Sequence, residues 1–395
     1  MPPTHRPATA LVARAAAPRA RQEPVSLPIH QTTTFVIDEA LDAAMARGDY
    51  RSEFLYTRMG NPTVRALEER LALLHGADDG VATASGMGAL SAALIGLTAA
   101  GDGIVAARQL YGVSAALLTR YLADMGREVA FADATDTGVV QAALAGLSRP
   151  RWLLVETLSN PLVEVAPLAE LADAAHRAGA RLMVDNTFAN PLGCRPLSRG
   201  ADLVIESLSK SISGHSDVHG GLVAGSRTDV ERAWDAMVHL GPCLDPHAAA
   251  LIWRGLKTLD VRTRAATETA SRLAGALSGH PAVEAVHHPT LASGRARSVA
   301  DATLDLAGSM LSIVVKGGDT RALALLQALE VAVPATSLGG VETLVSCPFN
   351  TSHRSAEARQ RVGLRPGTVR ISVGLEAYDD LWADWQRALD ATAPR

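Results

Sequence analysis

The chain has 395 residues, of which 48% are hydrophobic and 20% are charged, and its formal net charge is −4 at pH 7. These values are typical of a soluble globular enzyme, and the length allows two domains. A net negative charge without a basic stripe argues against nucleic-acid binding, and no apolar run has the length of a membrane span. The three cysteines are odd in number and far apart, which argues against a disulfide framework or a metal site and favours a cytoplasmic protein.

The first 23 residues, MPPTHRPATALVARAAAPRARQE, contain several arginines and a single acidic residue at the very end. This composition is compatible with a transit peptide and also with a disordered arm rich in alanine and proline. We favour the disordered arm and keep the targeting segment as the alternative. Aromatic residues make up only 4% of the chain, so those in polar loops are more informative than usual.

Short apolar runs alternate with amphipathic stretches from about residue 63 to residue 225. Apolar residues at helical spacing predict a first helix that ends at Gly76. After it, the pattern predicts strands at 79–85, 102–107, 127–133, 151–157, 180–186 and 201–207, and helices at 87–101, 113–126 and 168–179. Buried strands alternating with helices predict an α/β fold with a mostly parallel sheet covered on both faces. Ligands bind such sheets at the carboxyl ends of the strands.

The pattern changes near residue 246. A long helical stretch is predicted over 246–280, and the later apolar segments predict a smaller α+β unit with some antiparallel strands. The predicted organisation is an N-terminal arm over 1–62, a large α/β domain over 63–245 and a C-terminal α+β domain over 246–395.

Lysine is rare, because only Lys210, Lys257 and Lys316 accompany the many arginines. Arginine can bind a phosphate but cannot form a Schiff base, so an amine-based reaction has three candidates. Lys210 lies four residues beyond the apolar run LVIE, at the carboxyl end of a predicted strand. Lys257 falls inside an amphipathic helix, and Lys316 resembles an ordinary turn lysine. Position therefore favours Lys210, although a surface-loop lysine fits its position equally well.

The neighbours of Lys210 favour the chemical interpretation. Gly86 and Met87 open a helix, so their free backbone N–H groups can bind an anion, and Ser207 and Ser209 add hydroxyl groups. Asp185 ends another strand, where it is either a turn aspartate or a buried carboxylate that keeps a pyridine nitrogen protonated. A lysine, a phosphate cup and an aspartate are together the parts of a pyridoxal 5′-phosphate (PLP) site.

A set of motifs along the chain resembles one family. They are YTRMGNPT (56–63), SGMGA (85–89), QLYG (109–112), ETLSNPL (156–162), VDNTF (184–188), SLSKSISGHSDVHGG (207–221), SLGGVETL (337–344) and VRISVGLE (369–376). From about residue 26 to 390 the chain resembles the Cys/Met-metabolism PLP-dependent enzymes, which include cystathionine γ-synthase, cystathionine γ-lyase, methionine γ-lyase and the O-acylhomoserine sulfhydrylases. The resemblance implies the fold type I architecture, with a mostly parallel seven-stranded sheet domain and a smaller α+β domain.

The resemblance also implies roles for individual residues. Lys210 forms the Schiff base with the cofactor, Asp185 pairs with its pyridine nitrogen, and Asn160 lies near its phenolic oxygen. Tyr111 stacks on the ring and acts as an acid or base near the leaving group. The residues implied to hold the phosphate are Gly86, Met87, Ser207 and Ser209.

Substrate and partner residues follow from the same motifs. Arg370, helped by Ser337, binds the substrate carboxylate. Tyr56 and Arg58 reach the phosphate of the neighbouring subunit, with Tyr56 also near the substrate. The active site then requires a homodimer, and the family norm is a homotetramer.

The resemblance implies γ-elimination on a γ-substituted L-amino acid, giving a 2-oxo acid and ammonia. The alternatives are γ-replacement, including on a specialised substrate of secondary metabolism, and a catalytically silent scaffold. Some positions depart from the family pattern and bear on specificity; they are Val113, Ser209, Ser211, Cys347 and Phe349. His215, Asp217 and His219 suggest a metal site, but no cysteine or further carboxylate is in register, so we interpret them as structural residues.

Overall fold

The computed structural model describes residues 23–51 and 53–393, so the predicted N-terminal arm or targeting segment lies, apart from Glu23, outside the described residues. The strands are β1 Asp79–Thr83, β2 Gly103–Ala107, β3 Glu128–Ala132, β4 Pro150–Glu156, β5 Arg181–Asp185, β6 Leu203–Glu206, β7 Gly221–Gly225, β8 Val283–His287, β9 Met310–Val315, β10 Val333–Pro334, β11 Leu344–Ser346 and β12 Thr368–Ser372.

The helices of the described residues follow the predicted alternation in most places. They are α1 Glu39–Ala46, α2 Pro62–His75, α3 Gly86–Leu97, α4 Gly112–Ala116, α5 Thr137–Ala145, α6 Leu168–Arg177, α7 Asn190–Gly193, α8 Arg227–Leu240, α9 Pro246–Leu256, α10 Leu259–Ser278, α11 Gly294–Thr303, α12 Gly318–Ala328, α13 Ala356–Arg361 and α14 Tyr378–Ala391. Helix α4 continues as a π-helical stretch, Leu117–Leu122. No helix in the described part of the chain is long and apolar enough to cross a bilayer.

Seven strands form the larger sheet in the order β1-β7-β6-β5-β4-β2-β3. Strands β2 to β6 pair in parallel, and β7 is antiparallel to both β1 and β6. Every residue of β1, β2 and β7 is buried, so both sheet faces are covered. The predicted α/β class with a mostly parallel seven-stranded sheet is confirmed.

Strand β7 and helices α5, α7 and α8 of this sheet region are absent from the sequence prediction. Strand β7 has the sequence GLVAG, which is short and begins and ends with glycine, so its propensity for a strand is weak. Helix α5 begins at Asp136, whose side chain accepts hydrogen bonds from the backbone N–H groups of Gly138 and Val139. Strand β7 and helix α5 depend on tertiary packing as well as on their local sequence.

Close helix packing supports the edge of the sheet near β1 and β7. Helices α3 and α8 pack together over these strands. Gly96 makes the approach possible, since an ideal Cβ at this position would lie only 2.5 Å from the backbone oxygen of Arg232. The tight packing fixes where α3 begins, and the start of α3 lies at the candidate site.

A second sheet of five strands, in the order β10-β11-β12-β9-β8, has its own apolar core with Trp385 of α14 at its centre. Helices α10 and α12 pack on this sheet and against α14, while α9 packs on α2 of the larger-sheet region. The residue ranges predicted for the arm and the two domains stay predictions.

The single long helix expected over 246–280 is wrong, because the chain forms α9 and α10 with a break at Lys257 and Thr258. Lys257 caps the end of α9 and does not lie inside a helix. The Thr258 hydroxyl donates to the backbone oxygen of Gly255, 3.1 Å away. A side-chain bond of this kind competes with the helical hydrogen bonds and explains the break.

Candidate active site

Three acidic residues end three adjacent parallel strands. Glu156 ends β4, Asp185 ends β5 and Glu206 ends β6. Glu156 and Asp185 are direct partners in the strand register, and Asp185 pairs with Ile205, the neighbour of Glu206. Glu156 and Asp185 therefore lie side by side at the carboxyl edge of the sheet, whereas Glu206 pairs with His75, 2.8 Å away. Burial raises the pKa of all three above its ordinary value.

Asp185 is held by a single neighbour. Its carboxylate accepts hydrogen bonds from the backbone N–H and the hydroxyl of Thr187, at 3.0 and 2.5 Å. The Thr187 hydroxyl in turn accepts a bond from the backbone N–H of Ser207, at 2.9 Å. Among the residues that the structure describes, no basic side chain forms an ion pair with Asp185. A partly buried carboxylate without a cationic partner is suited to a cationic ligand group.

Lys210 lies in the turn that follows β6, and its Nζ donates a hydrogen bond of 2.8 Å to Oγ of Ser337. Burial lowers the pKa of Lys210, and the positive charge of Arg370 lowers it further. Ser337 has a positive φ of 84°, a conformation that side-chain-bearing residues rarely adopt. The contact joins the two sheets, since Lys210 follows the larger sheet and Ser337 precedes strand β11 of the smaller one.

Arg370 comes from β12 of the smaller sheet and is buried. Its two terminal nitrogens donate to Oδ1 of Asn160, at 3.2 Å, and to the backbone oxygen of Ser337, at 2.9 Å. Burial lowers the pKa of Arg370 to about 10, with Tyr111 and Glu156 opposing the change. The guanidinium is therefore charged at neutral pH.

Glu156 connects two predicted site residues that have no direct bond to each other. Its carboxylate accepts the backbone N–H of Tyr111, at 2.6 Å, and the backbone N–H of Asn160, at 3.1 Å. Burial, followed by the negative charge of Asp185, holds the pKa of Glu156 well above its ordinary value. Glu156 is not among the site residues predicted from the sequence, although it ends its strand in the same way that Asp185 does.

The start of α3 faces the turn that carries Lys210. Ser85 caps the helix by accepting the N–H of Gly88, at 3.0 Å, whereas the N–H groups of Gly86 and Met87 have no acceptor within the described residues. An ideal Cβ at Gly86 would lie 2.8 Å from the Cβ of Ser207. A side chain at this position would fill the space between helix and turn, so glycine keeps an anion cradle open.

Ser209 lies in the same turn, and its hydroxyl already has two partners. It accepts the N–H of Gly220, at 3.0 Å, and donates to the oxygen of the same residue, at 3.3 Å. The bonds tie the Lys210 turn to the start of β7. A phosphate contact of Ser209 would have to share this hydroxyl.

Tyr56 and Arg58 lie apart from these residues. Arg58 donates to the backbone oxygen of Val238, at 3.0 Å, and its guanidinium lies 5.5 Å from the centre of the Tyr56 ring. Tyr56 is 39% exposed, and both side chains line a surface cavity of about 390 Å³ with Cys243 and Asp245. No contact between this pair and Lys210 occurs in the described part of the chain.

An amine of lowered pKa, an open helix N-terminus and an unpaired, partly buried carboxylate share one edge of the α/β sheet. Such a donor set defines a class of enzyme, the α/β enzymes that bind PLP. Comparison with known proteins gives the family. The family model of the Cys/Met metabolism PLP-dependent enzymes matches residues 8–390, and the chain belongs to this family, as the sequence motifs predicted.

Relatives with three different reactions in their names are similar to this chain. L-methionine gamma-lyase of Pseudomonas putida is 37% identical over 371 residues, which cover 93% of this chain and 92% of the relative. O-succinylhomoserine sulfhydrylase of Pseudomonas aeruginosa is 36% identical to this chain, and the match covers 91% of this chain and 89% of the relative. The crystal structure of cystathionine gamma synthase from Xanthomonas oryzae pv. oryzae with cystathionine is 36% identical, has a TM-score of 0.87 and shares 93% coverage of each chain.

Proposed function

We propose that this chain is a PLP-dependent lyase that catalyses γ-elimination on a γ-substituted L-amino acid and releases a 2-oxo acid and ammonia. The observation that carries the proposal is the contact of Lys210 Nζ with Ser337 Oγ, 2.8 Å long, beside the buried guanidinium of Arg370. It brings an amine of lowered pKa next to a cation that can bind a carboxylate. An amine and a carboxylate receptor are what an amino-acid substrate requires.

The residues around Lys210 fit the cofactor. Asp185, partly buried and without a cationic partner among the described residues, matches a protonated ring nitrogen. The residues proposed to hold the phosphate are Gly86, Met87, Ser207 and Ser209, of which the first two offer free N–H groups. Asn160 and Tyr111 are proposed to flank the ring. Bound PLP supplies an electron sink that stabilises negative charge at the substrate carbon atoms.

Arg370 is proposed to bind the substrate carboxylate. Its guanidinium is buried and charged, and its present partners are an amide oxygen of Asn160 and the backbone oxygen of Ser337. Both are neutral acceptors, so among the residues that the structure describes no carboxylate is in direct contact with the guanidinium. A carboxylate would supply one in a bidentate geometry, which explains why an arginine is placed here.

Proton transfer is assigned to Lys210 and Tyr111. Because burial and Arg370 lower the pKa of Lys210, a larger fraction of its amine is neutral near pH 7 than for a free lysine. The neutral amine can take the proton from the substrate Cα. Tyr111, held at its backbone by Glu156, is proposed to deliver a proton to the leaving group.

A second reaction, γ-replacement, is kept because relatives named as a synthase and a sulfhydrylase are about as similar to this chain as those named as lyases. The two reactions share the Lys210 chemistry and differ in whether a second nucleophile is captured. We therefore expect the same residues to be essential for both.

The experiment that tests the proposed reaction is a substrate panel. The PLP-loaded protein is incubated with methionine, cystathionine, homocysteine and O-acylhomoserines, each with and without an added thiol. Release of 2-oxobutyrate independent of thiol supports elimination, whereas a new thioether formed only with thiol supports replacement. A protein that binds PLP and forms neither product with any of these compounds contradicts the proposal and favours a silent scaffold.

Tyr56 and Arg58 are proposed to complete the site of a partner subunit. Their exposure, and the absence of a contact with Lys210 in the described residues, support a role outside their own chain's site. A homodimer would then be the smallest active form, and a homotetramer is the assembly we expect.

A further inference from the structure

The turn that carries Lys210, residues 207–214, is held by its own hydrogen bonds. We call this segment the lysine turn. The N–H of Gly214 donates to the backbone oxygen of Lys210, at 2.8 Å, and the Ser213 hydroxyl donates to the same oxygen, at 3.2 Å. The N–H of Ser213 reaches the oxygen of Leu208, at 3.1 Å. These bonds leave the carbonyl groups of Ser211 and Ile212 to be satisfied from outside the turn.

Both carbonyl groups are satisfied by one side chain, Arg262 of α10. Its Nη1 donates to the oxygen of Ser211, at 2.8 Å, and its Nη2 donates to the oxygen of Ile212, at 3.3 Å. The same Nη2 reaches the oxygen of Gly255, at 2.8 Å, and Nε donates to the Thr258 hydroxyl, at 3.0 Å. The guanidinium therefore joins the lysine turn to the junction of α9 and α10.

The charge of Arg262 is unusual for its position. The side chain is buried, and no carboxylate lies within ion-pair distance of it in the part of the chain that the structure describes. Burial alone lowers its pKa. Burying a cation without a carboxylate partner is costly, and here the cost is offset by hydrogen bonds to three backbone carbonyl groups and to the Thr258 hydroxyl. Two of these carbonyl groups belong to the lysine turn, so the arginine holds the turn in place as well as contributing to stability.

The backbone around the guanidinium is shaped to admit it. Gly214 has a φ of 72°, and an ideal Cβ there would lie 1.9 Å from Nη1 of Arg262. At Gly255 an ideal Cβ would lie 2.0 Å from the oxygen of Ser213. Side chains at either glycine would separate the turn from Arg262 or from α9.

The other side of the lysine turn faces the loop that carries Ser337. An ideal Cβ at Gly339 would lie 2.5 Å from the N atom of Ser211, so this loop packs directly on the turn. Ser211 is thus held between Arg262 on one side and the loop at Gly339 on the other. Lys210 precedes it by one residue, and its Nζ contacts Ser337 of the same loop.

We propose that Arg262 is a positioning residue for the reaction: by binding the carbonyl groups of Ser211 and Ile212, it fixes the lysine turn and keeps Nζ of Lys210 at Ser337. The inference rests on the proposed function, in which Lys210 is the cofactor lysine. Arg262 acts through the turn and contacts neither substrate nor cofactor.

The test compares Arg262 with Arg264, which lies two residues away on the same helix. Arg264 is exposed and pairs with Asp260, so it offers a matched control for the loss of an arginine. The variants are Arg262→Lys, Arg262→Met, Arg264→Lys and Arg264→Met, each prepared with PLP bound. Lysine keeps the charge at position 262, but its single amine cannot bind both carbonyl groups in the planar geometry of a guanidinium.

Misplacing the amine should affect chemistry more than binding. We expect both Arg262 variants to lower kcat by about 10- to 100-fold while KM changes by no more than about twofold. Two further readouts do not depend on turnover: faster loss of PLP on dilution, and a shifted pH dependence of the visible absorbance of the lysine-bound cofactor. The Arg264 variants should match wild type in all of these.

Wild-type kcat, cofactor retention and absorbance in Arg262→Met, with only the melting temperature lowered, would overturn the inference. If neither Arg262 variant folds, Thr258→Val decides, because it removes the contact with Nε, together with the hydroxyl bond to Gly255, and leaves Arg262 and its two bonds to the lysine turn in place. A drop in kcat with unchanged KM then supports the inference, and wild-type kcat contradicts it. Failure of the proposed function is recognised separately, because borohydride would then not label Lys210 in the wild-type protein.

Discussion

The lysine turn and the segment with Tyr56 and Arg58 belong to the same proposed site but are held in opposite ways. The lysine turn is fixed inside its own chain by Arg262 and by the loop of Ser337. Arg58, in contrast, bonds the backbone of Val238 and stacks on Tyr56 at an exposed surface. One half of the site is thus pre-arranged in a single chain, and the other half presents its functional groups outward.

This difference has a consequence for mutations. Changes in the lysine turn, or in residues that touch it, should disable the site of the chain that carries them. Changes at Tyr56 or Arg58 should disable the site of a partner and leave the chain's own lysine competent. Variants in the two segments therefore separate effects on a chain's own site from effects on a partner's site.

The largest effect is expected for Lys210→Arg. Arginine retains the positive charge but can neither form the covalent bond with the cofactor nor act as a base, so kcat should fall by at least about 10³-fold. Release of 2-oxo acid from the best substrate measures it. Lys257→Arg, at an exposed helix end, is the control and should retain full activity. Wild-type turnover of Lys210→Arg would contradict the assigned role.

The next effect is expected at the substrate carboxylate. Arg370→Lys keeps the charge but loses the bidentate geometry, so kcat/KM should fall by about 10²-fold, mainly through KM. Steady-state kinetics separate the two parameters. Arg365→Lys changes an exposed arginine that pairs with Glu284 and should leave both unchanged. A fall in kcat alone, with KM unaltered, would argue against carboxylate binding by Arg370.

Mixed assemblies test the division between the two halves directly. Lys210→Ala and Arg58→Ala are each expected to be nearly inactive. When the two are unfolded and refolded together in equal amounts, half of the dimers are mixed, and each mixed dimer has one intact site. About a quarter of the wild-type activity should therefore return. No recovery, with mixed dimers demonstrated by mass spectrometry, would place Arg58 in the site of its own chain.

The smallest effect concerns stability. Because the pKa of Asp185 is raised, the folded chain binds this proton more tightly than the unfolded chain does. The resulting stabilisation is present below the unfolded pKa of about 4 and is lost as pH rises through the raised value. Asparagine does not titrate and keeps the two acceptor contacts with Thr187.

The melting temperature of cofactor-free Asp185→Asn, relative to wild type, should therefore increase as pH rises above the unfolded pKa of about 4, over the range in which the protein stays folded. The same variant should hold PLP more weakly, because it lacks the carboxylate proposed to pair with the ring nitrogen. Asp173→Asn, exposed on α6, provides the control for loss of an acidic residue. A constant difference in melting temperature across this pH range would show that Asp185 does not titrate as described.

The α/β class was predictable because buried apolar strands and amphipathic helices alternate along the first two thirds of the chain. Strand β7 was not predicted, since its pentapeptide GLVAG has little strand propensity without its neighbours β1 and β6. The break between α9 and α10 was not predicted either. It depends on the Thr258 hydroxyl bonding Gly255, a local competition that helical periodicity does not reveal.

The candidate site was predictable where its residues follow strands. Lys210 and Asp185 both stand at carboxyl ends, and the structure brings both to one edge of the sheet. Glu156 gives the same signal and could have been selected by that rule. Arg262 gives none, because the groups that it binds in the lysine turn are backbone carbonyls about fifty positions away in sequence, those of Ser211 and Ile212. Only the folded chain shows that such a helix arginine points inward.

Reductive trapping shows directly which lysine is attached to the cofactor. The PLP-loaded protein is treated with borohydride, digested and mapped by mass spectrometry, so that the amine attached to the cofactor carries a permanent mass label. We expect one labelled lysine per chain, Lys210. A label on Lys257 or Lys316, or no label on a protein that has bound PLP, would contradict it.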